Sequence, residues 1–211
     1  MRQLVPVVLV VLAACSSPDP SVPSSLSAPT SASGSFSAHA ARPLVGNGAA
    51  LEPGRYRFEA FRPPVTFAVG EGWVGGHTLS EYFDVFHGDE LVLGFARPGF
   101  VAGAVGNVDV AELTPRTTLE TIEGNAPRAG PITPTKLGSL PALEMSFHVA
   151  APTVLFGGPE GGFTIEPRWD QRAIALDVDG VLVLVVVQWT AEATTSDRSA
   201  ADDVLRTIRF E

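Results

Sequence analysis

From about residue 55 onward, apolar and polar residues alternate in short runs, the period-2 pattern of half-buried strands. Tyr56, Phe58 and Ala60 alternate with Arg55, Arg57 and Glu59, and Val65, Phe67 and Val69 repeat the pattern. Phe83 and Val85 flank Asp84; Gly88-Asp89 then turns the chain, and Leu91, Leu93 and Phe95 share one face of the return strand. That is a hairpin. Leu143, Met145, Phe147 and Val149 point one way, while Glu144, Ser146 and His148 point the other. The clearest hairpin turns at Asp179-Gly180, residues that tolerate positive φ, after Ile174, Leu176 and Val178. Its return strand, Val181 to Trp189, is apolar apart from Gln188. An unbroken run of that kind belongs at a sheet centre, covered on both faces.

Two segments carry a helical period instead. Thr114 offers a capping hydroxyl ahead of Pro115, Leu119 and Ile122 mark a buried side, and Gly124 ends the helix. From about Asp197 to Thr207, the residues Ala201, Val204, Leu205 and Ile208 form one apolar stripe. Asp197, Asp202 and Asp203 lie toward the positive end of this helix, and Arg206 and Arg209 toward its negative end. Strands, a helix, more strands and a final helix predict a single α+β domain, a mostly antiparallel sheet covered by helices.

The long apolar strand, the short amphipathic helix and the closing Thr207-Ile208-Arg209-Phe210 carry a family likeness. They resemble the Mog1/PsbP-like domains of bacterial lipoproteins, over residues 54–211. The resemblance implies an α/β/α sandwich. It also implies an accessory or binding role with no catalytic motif, and fold likeness alone does not name a partner.

The N-terminal segment has a different grammar. Arg2 precedes an apolar stretch from Leu4 to Leu12, and Leu12-Ala13-Ala14 leads into Cys15, the only cysteine. A positive start, a brief apolar core and small residues before a cleavage point describe an export signal over residues 1–14. The small residues before a lone cysteine resemble a bacterial lipobox, which implies that Cys15 is lipidated and becomes the mature N-terminus. The apolar stretch, interrupted by Pro6, is too short for the roughly 20 residues of a membrane span. Residues 15–50 are rich in Ser, Pro, Ala and Thr and predict a flexible tether. The globular domain is then expected over 51–211. These boundaries predict a protein held by lipid at the extracytoplasmic face of a bacterial membrane. Lys136 is the only lysine among the basic residues, and with much Ala, Gly, Val and Pro this suits a GC-rich, actinobacterial-type genome.

The formal charge is −9, and loss of Arg2 with the leader makes it more negative. Such a surface repels phosphates, so no nucleic acid is expected as a partner. With Cys15 lipidated, disulfides and thiolate metal sites are excluded, and the core alone must hold the fold.

Candidate chemistry is sparse. Gly70-Glu71-Gly72-Trp73-Val74-Gly75 fits the dinucleotide glycine pattern, but a strand pattern follows where that chemistry needs a helix N-terminus. A tight turn presenting Trp73 is the expectation. His39, His77, His87 and His148 show no helical metal-ligand spacing; His77 and His87 converge with Asp84 only if the 75–80 loop folds back. No metal or cofactor is expected. There is no G-x-S-x-G, and Ser80 and Ser139 lie near turns outside any such motif. The segment Glu166-Pro167-Arg168-Trp169 follows a glycine-rich stretch, Gly157 to Gly162. It reads as a solvated loop with Trp169 at the core rim, or as part of a recognition surface of Trp73, His77, Arg168 and Trp169.

The reading is a non-catalytic, lipid-anchored accessory or binding domain of the cell envelope. Its partner would be an envelope protein, or a small apolar ligand held in a groove. The alternatives are an envelope-acting hydrolase whose site assembles in space, and a structural spacer.

Overall fold

A computed structural model describes residues 40–159 and 161–211. The Cys15 and His39 readings therefore lie outside the described residues. The first nine strands are β1 (Arg42–Pro43), β2 (Ala50–Leu51), β3 (Gly54–Phe58), β4 (Val65–Val69), β5 (Trp73–Thr78), β6 (Tyr82–His87), β7 (Leu91–Ala96), β8 (Phe100–Gly103) and β9 (Gly106–Asp109). Helix α1 (Pro115–Glu123) follows. Then come β10 (Thr133–Leu137), β11 (Leu140–His148), β12 (Thr153–Gly158), β13 (Gly161–Ile165), β14 (Asp170–Val178) and β15 (Val181–Trp189). Helix α2 (Thr195–Thr207) and β16 (Arg209–Phe210) close the chain.

The apolar run of β15 sits inside an eight-stranded antiparallel sheet ordered β10-β11-β14-β15-β7-β6-β5-β2. Its alternate residues feed two different cores. Val183, Val185 and Val187 pack in one cluster with Phe67 of β4 and with Val204 and Leu205 of α2. Leu184 and Val186 pack in another with Leu119 and Ile122 of α1 and with Val101 and Leu155. Each fully buried side chain of this size stabilises the fold by roughly 1.5–3 kcal/mol. Covering both faces explains why the run carries almost no polar position. The described residues thus form a mostly antiparallel α+β domain with two α-helices.

Two smaller sheets complete the covers. β1-β3-β4-β16 lies with α2, and β13-β12-β8-β9 contributes Val101 and Phe156 to the α1-side core. The Asp179-Gly180 turn joins Val178 to its partner Val181, with φ of 54° and 82° at the two turn residues. Helix α1 opens on a reciprocal cap between Thr114 and Thr117, and α2 on one between Thr194 and Asp197.

The structure departs from the sequence reading at three places in this frame. β3 ends at Phe58; Ala60 is exposed, and Phe61 takes the buried position instead. Strand pairing begins upstream of residue 51: Arg42 and Pro43 run parallel to Tyr56 and Arg57, and Leu44 is buried. Trp73 is not presented by a turn. It is 2% exposed inside the α2-side core, and its ring lies 5.2 Å from that of His87. No helix among the described residues is long and apolar enough to cross a membrane.

Candidate functional site

The α2-side faces of β5, β6 and β7 are filled by core residues, but the opposite face near the start of β6 is only partly covered. The cover there is the β12–β13 hairpin, which arrives from another sheet. Between them lies a cavity of about 340 Å³, with Tyr82, Phe156 and Phe163 among its walls. Phe156 and Phe163 stack at 5.0 Å, and Tyr82 meets Phe163 at 5.4 Å with the planes 44° apart.

A local irregularity arms this cavity. β5 and β6 pair regularly from Trp73↔His87 to Gly75↔Val85, then slip so that Thr78 faces Phe83. The extra residue is a bulge, a device that re-aims side chains. It turns His77 back onto Asp84 of β6. The His77 backbone N–H donates to Asp84 Oδ1 at 2.6 Å, and His77 Nδ1 stands 3.0 Å from Oδ2. The Tyr82 hydroxyl donates to the same Oδ2 at 2.6 Å. Asp84 is only 3% exposed, so these three contacts satisfy a charge that would otherwise be expensive to bury.

The protonation pattern follows from the carboxylate. Ionised Asp84 only accepts, so Nδ1 of His77 carries the hydrogen and Nε2 of the neutral ring is an acceptor. The His77 side chain is 69% exposed, which leaves that side of the ring open to a ligand. Tyr82 is held well above the ordinary phenol range, first by burial, then by the Asp84 charge and by the hydrogen bond to it.

Glycines make room for this arrangement. A Cβ on Gly76 would stand 1.9 Å from Asp84 Oδ1 and 2.2 Å from Phe86 Cε2. A Cβ on Gly94, across from Asp84 on β7, would come within 3.1 Å of the Tyr82 hydroxyl oxygen. Glu81, Arg97 and Pro98 form a ridge shared with a second cavity of about 380 Å³, whose far wall includes Asp177 and Leu182.

The structure separates the residues grouped from sequence. His77 reaches Asp84 as the folded-back loop requires, but His87 instead approaches Asp197 at 3.1 Å. His148 pairs with Asp170 at 3.2 Å. Trp73 is in the core, so the surface of Trp73, His77, Arg168 and Trp169 does not form. Arg168 lies over the Trp169 ring at 5.4 Å in the turn after β13, and neither lines the cavity that holds His77. The glycine pattern at 70–75 runs into β5, not into a helix. Among the described residues no three His, Cys, Asp or Glu side chains gather as a metal site would need.

No family model matches the chain, and no curated protein matches it. Among solved structures, a protein of Bacteroides thetaiotaomicron VPI-5482 superposes with a TM-score of 0.40 at 10% identity, over 70% of this chain. The match spans 45% of the Bacteroides chain, under half its length. LpqN, described as involved in cell envelope biogenesis of Mycobacterium tuberculosis, superposes with a TM-score of 0.37 at 10% identity. That match covers 75% of this chain and 84% of LpqN. Overlaps this loose carry no argument about what this chain does.

Asp84 was named from sequence only as a point on which His77 and His87 converge, and Tyr82, Phe156 and Phe163 were not among the residues singled out. One signal was available. Gly75-Gly76 and Gly94 interrupt strand patterns, and glycine inside a strand marks a bulge or a close approach.

Proposed function

We propose that this is an extracytoplasmic binding domain of the bacterial cell envelope, anchored by lipid on Cys15, that takes a small ligand in the cavity beside β6. The observation that carries the reading is the cavity itself. Its size is that of small-molecule sites, the rings of Tyr82, Phe156 and Phe163 stand in its walls, and a few polar groups converge in it. His77 Nε2 supplies an acceptor, and the bulge holds it in place. The Mog1/PsbP-like likeness and the leader resembling a lipobox point to the same setting.

A hydrolase is the second reading, and the His77–Asp84 pair favours it. A carboxylate that fixes Nδ1–H leaves Nε2 as a general base. The binding reading is preferred because the His77 ring is mostly exposed to water, whereas base catalysis gains from a site that excludes it.

Polar and lipid extracts of envelope material, titrated into isotope-labelled protein, separate these. Saturable shifts at Tyr82, Phe156 and Phe163, lost in Phe163→Ala, support binding. Extract components consumed by the native protein and spared by His77→Ala would establish the enzyme instead. Cys15→Ser should release the protein from membranes; membrane retention without a lipid mass increment would remove the anchor from the proposal.

A further inference from the structure

The geometry points to a small organic cation as the ligand of the cavity between β6 and the β12–β13 hairpin. This rests on the binding reading above and adds the ligand's charge. Three observations carry it.

The first is the balance of charge on the walls. Glu81 and Asp84 line the cavity, Asp84 already bonded to His77 and Tyr82, against one guanidinium, Arg97, whose Nη1 is directed to the Arg62 carbonyl oxygen at 3.3 Å. Across the shared ridge, the second cavity again sets two carboxylates, Glu81 and Asp177, against Arg97 alone. The negative field thus continues past the ridge. It belongs to a chain of formal charge −9, which draws cations and repels anions before contact.

The second is the aromatic surface. Tyr82 and Phe163 meet at 44°, Phe163 stacks on Phe156, and all three rings line the cavity. Ring faces attract cations through their quadrupole, most strongly where water is excluded.

The third is the link between the two. Tyr82 donates its hydroxyl proton to Asp84 at 2.6 Å, and a phenol that leans on a carboxylate has a more electron-rich ring. Asp84 therefore acts on a ligand through the Tyr82 face as well as by its own field. An anion would meet two carboxylates here, and a neutral apolar ligand would not engage the charge of Glu81.

Choline and 3,3-dimethyl-1-butanol test this, since they differ in replacing the quaternary nitrogen by carbon. Each is titrated into the labelled full chain, following resonances of Tyr82, Phe156 and Phe163. Choline is expected to bind about tenfold more tightly than the alcohol. Its affinity should fall as sodium chloride is raised. Glu81→Gln, a partly exposed position, should weaken choline about threefold and leave the alcohol unchanged. Equal affinities that Glu81→Gln does not alter would overturn the cation and leave the cavity as a binding site. If neither probe moves these resonances, both the cation and the site fail.

Discussion

Gly76 and Asp84 stand so close that a Cβ at position 76 would lie 1.9 Å from Asp84 Oδ1, inside any permissible contact. The same atom would press on Phe86 at 2.2 Å. Gly76→Ala must therefore open the β5–β6 bulge or expel the carboxylate from its buried seat. Overpacking of this kind destabilises by about 1–3 kcal/mol. Denaturant unfolding should show that loss, and the His77 ring should lose its bond to Asp84, visible as a changed Nδ1 resonance. An alanine variant with unchanged midpoint and unchanged His77 spectrum would contradict the packing described for the bulge.

Tyr82 makes a second expectation, dependent on pH. Burial, then the Asp84 charge and the hydrogen bond, raise its folded-state value well above the ordinary phenol, so the folded chain keeps the proton that the unfolded chain releases near pH 10. The stabilisation is then intact below about pH 10 and is lost as pH rises toward the higher folded value. Tyr82→Phe should cost about 1–3 kcal/mol at neutral pH, because a buried acceptor loses a donor. The gap between native and variant should narrow in alkali. Urea titrations at neutral and alkaline pH read this directly, and a gap constant across the range would disprove the linkage.

How much of this was legible beforehand depends on how far along the chain each signal reaches. The Asp179-Gly180 hairpin, the Thr114-Pro115 helix start and the stripe of Ala201, Val204 and Leu205 are local, and the structure contains all three. Asp84 was visible as the polar residue of an alternating strand and as the group His77 meets if the 75–80 loop folds back. Alternation says which residues share a face, not what that face meets. The other side of β6 meets the β12–β13 hairpin, about seventy residues away along the chain, and no local pattern announces that contact. Trp73 fails for the opposite reason. Flanked by glycines it looks like the tip of a turn, yet its pairing with His87 puts it on the core face of β5.

The start of α2 has its own pH signature. The Thr194 N–H and hydroxyl donate to Asp197 Oδ2 at 2.8 and 2.7 Å, and the Asp197 N–H returns a bond to Thr194 Oγ1 at 3.2 Å. The bonds from Thr194, side chain first, hold the Asp197 carboxyl below its ordinary value of 3.8, with a smaller contribution from His87. A depressed carboxyl stabilises above its unfolded value, and that stabilisation disappears as pH falls through the lower folded value. Thr194→Ala should cost about 1 kcal/mol at neutral pH. Asp197→Asn should flatten the acid limb of the stability curve below the ordinary carboxylate range. Thermal unfolding of both variants across acid pH checks this; an Asn variant with the native acid limb would show that the cap does not carry the linkage.

The segment before residue 51 yields the last expectation, because composition marks it as tether and hydrogen bonding marks it as fold. Leu44 is buried and its N–H donates to the Arg57 carbonyl at 2.9 Å. The N–H groups of Asn47 and Gly48 donate to the carbonyls of Gly76 and Gly75, each at 2.8 Å, and Gly75 N–H donates to the Ala49 carbonyl at 2.9 Å. These bonds brace the very glycines that form the bulge beneath His77. A chain beginning at residue 51 should therefore be at least about 2 kcal/mol less stable than one beginning at residue 40, from the seat of Leu44 alone. It should also show altered resonances at His77 and Tyr82, since Gly76 loses its outer partner. Equal midpoints for the two chains would make residues 42–50 a passenger. Equal midpoints with a disturbed His77 would instead confine their role to shaping the cavity.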